Sequence, residues 1–289
     1  EHTDSYYAAT SMDGGDYPVL QGEVDTDIVI LGGGFSGVNT ALELSERGYS
    51  VVLLEANRIA WGATGRNGGQ VIGGIGHDAT QFRKSIGDDG VQAVHDMGIE
   101  CVEIIRERVG KYDIDCDLRW GYCDVALKRR HLSWLENTIR EQESLAYPHQ
   151  LQLLDQDSIK EFVGSDAYLG GLYNATGAGH VHPMNLCLGE AKAAVSLGAQ
   201  IFEQSSVVSI QQGGRVKLFT DSGCVNAARV VLCGNAYMGE LVPQLAQQML
   251  PASTCIVVTE PLGEVLASKI MPADVAACDP RTALDYFRM

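Results

Sequence analysis

The sequence predicts an α/β fold, α+β over the whole chain, with a parallel βαβ unit first and mixed strands after it. Three stretches carry that expectation. DIVILGGGFSGVNTALELSERGYSVVLLEA, residues 27–56, has the form strand, glycine turn, helix, strand. PMNLCLGEAKAAVSLGA reads as a strong helix, with Pro183 early and Gly198 at its end, where helix termini tolerate these residues. QIFEQSSVVSIQQGGRVKLFTDSGCVNAARVVLCGNA reads as short strands joined by glycine turns at 213–214 and 222–223.

In chain order, residues 1–24 are a polar, glycine-rich lead-in. A buried strand covers 27–31, a helix roughly 36–47 and a second strand 50–55, and their parallel crossover is right-handed. A glycine-rich loop at 62–76 leads into helical patterns over roughly 78–110 and 130–145. Between those two, CDLRWGYCDVALK alternates like a strand. LQLLD is a short strand, QDSIKEFVG a helix, and AYLGGLYNATGAGHVHP is strand-like. The sequence shows no internal repeat and no low-complexity tract.

Composition excludes several classes. With 289 residues, 45% of them hydrophobic and 20% charged, the chain can bury a large core and form two domains. Apolar runs such as VVLL and IVIL are strand-sized, far short of the roughly 18 residues of a membrane span. A net charge of −16 argues against nucleic acid, whose phosphates call for a lysine and arginine surface. The eight cysteines form no C-x-x-C pair and no paired metal spacing, so they read as small buried hydrophobes in a reducing compartment. The segment EHTDSYYAATSM has neither the basic nor the apolar stretch of a secretory signal. The cytoplasm is the expected location, and no metal is expected.

Gly32, Gly34 and Gly37 form G-x-G-x-x-G between a strand and a helix, the context a Rossmann-like dinucleotide site requires. The first glycine permits the tight turn, the second lets backbone approach the pyrophosphate, and the third lets helix and strand pack closely. The helix N-terminus adds free N–H groups and its positive dipole end. Glu55 ends the next strand, where a carboxylate can accept hydrogen bonds from the ribose hydroxyls and would repel a 2′-phosphate, so NADP is disfavoured. The segment EANRIAWGATGRNGGQ that follows is flexible and dense in glycine. An elongated flavin dinucleotide would meet such a loop, whereas a nicotinamide dehydrogenase usually continues with regular βα units.

LGGGFSG, LLEANRIAWGATGRNGGQ, GAGHVHPMNLCLGEAKAA and VVLCGNAYMGELVP together resemble the D-amino-acid oxidase superfamily of FAD-dependent oxidoreductases. SYYAAT, IIRERVGKYDIDCDLRWGY and LDYFR are similar to its bacterial γ-glutamylputrescine oxidases. The similarity spans essentially the whole chain. It implies a Rossmann-like FAD-binding domain (25–80, 149–163 and 183–240) interrupted by an antiparallel-sheet substrate domain (81–148, 164–182 and 241–289).

Transferred onto this chain, the resemblance places Gly32, Gly34, Phe35, Ser36 and Gly37 at the FAD pyrophosphate and Glu55 at the adenosine ribose. Ala56 and Arg58 would lie beside the adenosine. Gly62, Ala63, Thr64, Gly65, Arg66, Asn67, Gly68, Gly69 and Gln70 would run under the pyrophosphate and flavin. Val207 or Val208 would pair with adenine through its backbone, and Gly234 and Asn235 mark a second chain crossing near the cofactor.

The implied activity is oxidation of an amine, γ-glutamylputrescine-like, by hydride transfer to non-covalent FAD. Electrons would pass to O₂ or to another acceptor. Amino- or imino-acid oxidation, pipecolate- or iminodiacetate-like, is the alternative within the family, and a NAD dehydrogenase is a more distant one. Catalytic residues stay unassigned. Arg66 is a candidate positive group near the cofactor, against a plain salt bridge or loop contact. His180 and His182 flank Val181 and would face one side of a strand, lining a substrate cavity or holding the turn before Pro183. His77-Asp78 and Asp113, Asp115 and Asp117 read as solvated faces or turns rather than metal ligands. Homo-oligomerisation is left open. The chain is also expected to be a fragment, because relatives in this superfamily carry a further C-terminal portion that returns to the flavin domain. Weak FAD occupancy would follow from that, and a shortened, non-catalytic binding protein is the other reading.

Overall fold

The computed structural model describes residues 1–76 and 79–289; His77 and Asp78 lie outside the described residues. In chain order the elements are α1 (Tyr6–Thr10), β1 (Gly22–Leu31), α2 (Phe35–Glu46), β2 (Val51–Leu54), β3 (Gln70–Val71), α3 (Arg83–Lys111) and β4 (Arg119–Val125). Then come α4 (Arg129–Ser144), β5 (Leu151–Leu154), β6 (Gly171–His180), α5 (Pro183–Ser196), β7 (Gln200–Phe202), β8 (Ser209–Gln211), β9 (Val216–Phe219) and β10 (Gly223–Leu232). The last are α6 (Pro243–Ala246), α7 (Gly263–Ile270), β11 (Ala276–Cys278) and β12 (Tyr286–Phe287). They divide into two compact units, Glu1–Asn67 with Tyr112–Cys116 and His182–Val257, and Gly68–Lys111 with Asp117–Val181 and Val258–Met289.

The first unit is built on a six-stranded sheet in the order β7-β2-β1-β10-β9-β8. β1 pairs parallel with both β2 and β10, and β2 with β7, whereas β8, β9 and β10 form an antiparallel meander. Ile28–Leu31 of β1 and the whole of β2 are apolar on both faces because both faces are covered there. Ile28, Ile30, Val51 and Leu53 meet α2 and α5 on one side. Val29, Val52 and Leu54 meet Leu218 and Val225 on the other. α2 and α5 approach closely because Ala41, Ala191 and Ala194 are fully buried between them. The α5 termini follow the expected pattern, with Pro183 in the first turn and Gly198 at φ +100 just past the end.

The second unit holds a mixed sheet, β12-β11-β4-β6-β3, with β5 added to β6. β4, β5 and β3 run antiparallel to β6, and β11 runs parallel to β4. Register shifts between Trp120 and Tyr122, where Gly121 adopts φ +131, a backbone state open to glycine and rare for other residues.

Several boundaries differ from expectation. The resemblance places residues 149–163 in the cofactor domain, but β5 hydrogen-bonds to β6, so they belong to the second unit. Gly68–Gly76 also falls there, because β3 pairs with His180 and Gly179 of β6. Residues 112–116 return to the first unit: the Cys116 carbonyl accepts the His182 N–H at 2.7 Å, and Ile114 packs on Gly189 so tightly that a Cβ there would lie 2.3 Å away. Residues 241–257 likewise belong to the first unit. The helix expected in QDSIKEFVG is one 3₁₀ turn, Ser158–Glu161, where Asp155 accepts hydrogen bonds from Ser158 and turns the chain. β12 pairs antiparallel with β11 through Phe287 and Tyr286.

No helix among the described residues is long and apolar enough to cross a membrane.

Asp124 on β4 yields a stability prediction. Burial pushes its carboxyl up to about 7, offset in part by a hydrogen bond from the Tyr122 hydroxyl. A carboxyl raised on folding binds its proton more tightly in the folded chain. The stability this provides is full below the unfolded pKa of about 3.9 and is lost as pH rises through about 7. Asp124→Asn is expected to flatten that decline and to stabilise the chain at pH 8 by ~1–3 kcal/mol. Thermal unfolding of both chains at pH 5 and pH 8 checks this; parallel pH profiles would refute it.

Candidate functional site

The site begins where β1 ends. Gly32 turns the chain at φ +108, and a Cβ there would stand 2.6 Å from the Cys233 carbonyl oxygen at the end of neighbouring β10. Gly34 is the N-cap of α2 and has no side chain to close the helix end, which leaves that end available to an external acceptor. Gly37 sits in the first turn directly against the Gly32 carbonyl. The Phe35 N–H donates to Thr64 Oγ1 at 3.0 Å, tying the helix start to the loop that follows β2.

Glu55, just after β2, is held by backbone. One carboxylate oxygen accepts the Gly33 N–H at 2.7 Å and the other accepts the Asn57 N–H at 2.8 Å. Burial raises its pKa, and the two backbone donors oppose that rise. Each oxygen keeps a lone pair for a further donor.

These groups line a hollow of about 410 Å³ within the first unit. Its walls include Gly32, Gly34, Phe35, Ser36, Glu55, Ala56, Gly62, Ala63, Thr64, Val207, Gly234 and Asn235, all expected from the sequence. Gly33, between the motif glycines, lines it too, and Leu31, Leu54, Asn57, Trp61, Ser205, Ser206, Cys233, Tyr237, Met238 and Leu241, which the sequence reading does not name, complete it. Gly33 and Asn57 had a readable signal, being neighbours of the motif glycines and of Glu55. The others arrive by tertiary packing.

Residues 27–289 match the family described as DAO, FAD dependent oxidoreductase. Over its full length the chain is 40% identical to the gamma-glutamylputrescine oxidoreductase of Escherichia coli (strain K12), across 290 residues. The chain belongs to the FAD dependent oxidoreductase family. It is also 37% identical over 295 residues to a probable oxidoreductase, OrdL, of Haemophilus influenzae. In each case it covers 68% of the relative.

Solved structures at lower identity share the fold. The L-amino acid deaminase from Proteus vulgaris is 23% identical with a TM-score of 0.64, over 81% of this chain and 52% of that one. The glycine oxidase from Bacillus cereus is 22% identical with a TM-score of 0.59, over 77% and 58% respectively. The chain thus spans little more than half of these solved proteins.

FAD is the cofactor of this family, and the hollow suits its adenosine diphosphate part. A glycine-lined helix start without a side-chain cap suits phosphate oxygens, and an anchored carboxylate suits ribose hydroxyls.

Other expected contacts fall elsewhere. Arg58 pairs with the buried Glu203 at 2.6 Å and with Asp16 at 3.0 Å, and it lines a different hollow. A buried carboxylate outcompetes a ligand for it. Val208 is 55% exposed and its N–H donates to Phe219, so of the two valines Val207 is the one at the hollow. Gly65 packs against the Ala60 carbonyl, and the Asn67 amide donates to the Ala63 and Thr64 carbonyls, holding the 3₁₀ turn.

Arg66 stacks on Trp61, 4.3 Å from the ring centre, and its Nε and Nη2 have no hydrogen-bond partner among the described residues. Gly68, Gly69 and Gln70 lie in the second unit, where the Gly68 carbonyl accepts from Arg288, the Gly69 carbonyl from Val181, and the Gln70 amide reaches the Ala277 carbonyl.

The two histidines separate as well. His180 ends β6 with its ring 3.2 Å from Asp274 and 3.5 Å from Arg288; burial and then the Arg288 charge lower its pKa, and Asp274 opposes that shift. His182 is the N-cap of α5. Its Nδ1 accepts the Asn185 N–H at 3.1 Å, and Nε2 lies 3.1 Å from Thr10 Oγ1. The expected shared strand face fails because the strand ends at His180 and the helix starts at Pro183. His182→Ala is expected to cost about 1 kcal/mol of stability in urea unfolding, as for loss of a cap. His182→Asn should recover most of it, and an alanine variant as stable as wild type would count against the capping role.

Among the described residues no three His, Cys, Asp or Glu gather as a metal site.

Proposed function

We propose that the protein oxidises an amine, specifically a γ-glutamylated polyamine of the γ-glutamylputrescine type, with O₂ reduced to H₂O₂. The identity of 40% to the gamma-glutamylputrescine oxidoreductase of Escherichia coli along the full chain carries this reading. The hollow at Gly32–Ser36 supports the redox part. In this reading the Gly32–Gly34 turn and the α2 N-terminus hold the pyrophosphate and Glu55 holds the ribose. Val207 meets adenine, and Gly234 and Asn235 flank the cofactor from β10. The two Arg66 nitrogens without partners are suited to an anionic group of the cofactor.

FAD, held by these residues, would supply the acceptor for a hydride from the carbon bearing the amine. The substrate nitrogen loses a proton, the resulting imine hydrolyses to aldehyde and ammonium, and the two electrons leave to O₂. The chain's own part is to hold the cofactor by backbone N–H groups and to exclude water from the adenosine side. A cytoplasmic location accords with eight cysteines present as free thiols.

The test is anaerobic addition of γ-glutamylputrescine, putrescine, glycine, proline and iminodiacetate to FAD-loaded protein, followed by admission of O₂ and peroxide detection. Bleaching of the flavin by γ-glutamylputrescine, with peroxide on reoxidation, is the expected result. Bleaching only by amino or imino acids would move the substrate class, and a flavin that no amine bleaches would refute the reading.

A further inference from the structure

One face of α5 packs against α2, and Cys187, Ala191 and Ala194 on that face are buried. Glu190 lies on the same face at 1% exposure. The spacing i, i+3, i+4, i+7 is that of a core stripe, where a carboxyl is costly to bury unless a specific contact offsets the cost. Cys187 marks the surroundings. Its thiol donates to the Gly33 carbonyl at 3.9 Å, and burial, then the charges of Glu190 and Glu55, push it up. Glu190 therefore sits close behind the glycine turn. It is not among the residues that line the hollow, so it acts on that site through another group.

That group is Asn39. Its amide nitrogen donates to Glu190 Oε2 at 2.8 Å and to the Phe35 carbonyl, one turn back in α2, at 2.9 Å. The carboxylate fixes which end of the amide faces it, because an amide oxygen there would bring two acceptors together. The Phe35 carbonyl shares a planar peptide unit with the Ser36 N–H, which points the opposite way. Holding the carbonyl thus aims that N–H out of the helix start, and Ser36 lines the hollow. On the other side of Phe35, its own N–H is held by Thr64 Oγ1 at 3.0 Å. A plain tether between two helices would serve anywhere along α2. This one reaches the first turn, beside the uncapped Gly34.

We propose that Glu190 is a positioning residue for the dinucleotide, acting through Asn39 and the Phe35–Ser36 peptide to aim the α2 N–H groups at the pyrophosphate. The proposal rests on the reading that this hollow holds the adenosine diphosphate part of FAD, and it adds a dependence on a carboxyl outside the hollow. The acceptor oxygen of Glu190 matters here rather than its charge, because a negative charge by itself disfavours a phosphate nearby. Glutamine keeps that oxygen and leucine does not.

Calorimetric titration of the 289-residue chain, freed of FAD, with ADP and adenosine tests it, since the two ligands differ by the phosphates alone. The wild-type chain is expected to prefer ADP. In Glu190→Leu and in Asn39→Ala the ratio of the adenosine Kd to the ADP Kd should fall about tenfold, the scale of one charge-assisted hydrogen bond, while adenosine binds as before. Glu190→Gln should keep the wild-type ratio. A merely structural contact would weaken both ligands together and leave the ratio alone. Asn39→Ala stands even if Glu190→Leu does not fold, since Asn39 is half-buried and alanine suits a helix. An unchanged ratio in Asn39→Ala overturns the proposal, and so does a ratio that falls as far in Glu190→Gln as in Glu190→Leu. A wild-type chain with no preference for ADP refutes the placement of the pyrophosphate in this hollow, and the proposal with it.

Discussion

Gly37→Ala is expected to cost about 3 kcal/mol of stability or more and to abolish FAD retention. A methyl group at this position would lie 1.8 Å from the Gly32 carbonyl oxygen and 3.0 Å from its carbon. Both are backbone atoms, so no side chain can swing aside. α2 would have to retreat from β1, opening the packing of Val38, Ala41 and Leu42 on Ile30 and Leu53. The same movement displaces the Gly34 N-cap and the helix start that face the hollow. Urea unfolding and flavin content after gel filtration measure the two effects. Gly110→Ala is the control, because a Cβ there meets nothing within 4 Å and the position is helical. That change should be neutral or stabilise slightly. Wild-type stability in Gly37→Ala would contradict the packing argument.

Glu55→Ala is expected to weaken FAD binding by ~1–3 kcal/mol, about fivefold to 150-fold in Kd. Two effects combine. The ribose hydroxyls lose their acceptor, and the N–H groups of Gly33 and Asn57 lose theirs. The second effect also lowers the stability of the cofactor-free chain, since buried donors left unsatisfied are costly. Glu55→Gln separates them. The amide keeps one acceptor oxygen but turns an NH₂ toward the other backbone donor, so flavin affinity should fall in both variants and stability less in the second. Fluorescence titration with FAD gives the Kd and thermal unfolding gives the stability. An unchanged Kd in both variants would remove Glu55 from the cofactor site.

The glycine turn was legible because its requirements are local. Gly32 needs a backbone conformation that other residues rarely adopt, Gly37 needs contact one turn away, and Glu55 follows at the end of the next strand. The α5 boundaries were legible for the same reason, with proline and glycine marking its ends. Arg58 was misplaced because its partner, Glu203, is remote in sequence and is brought beside it by β7 pairing with β2. The choice between Val207 and Val208 rested on which N–H the antiparallel meander uses, and Val208 donates to Phe219.

By itself, then, the sequence determined the strand–turn–helix that opens the first unit, the acid after β2, the family and its FAD. The turn and the acid rest on spacing within a few turns of chain, where sterics and hydrogen bonding act between near neighbours, whereas the family and its FAD rest on resemblance along the whole chain. Only the tertiary structure decided that 149–163 joins the second sheet, that 112–116 returns to α5, and that Asp124 faces a hollow rather than solvent. Those outcomes depend on which strand edges pair and which helix stripes meet a sheet face. Many pairings satisfy the same alternation, and the whole packed core selects among them.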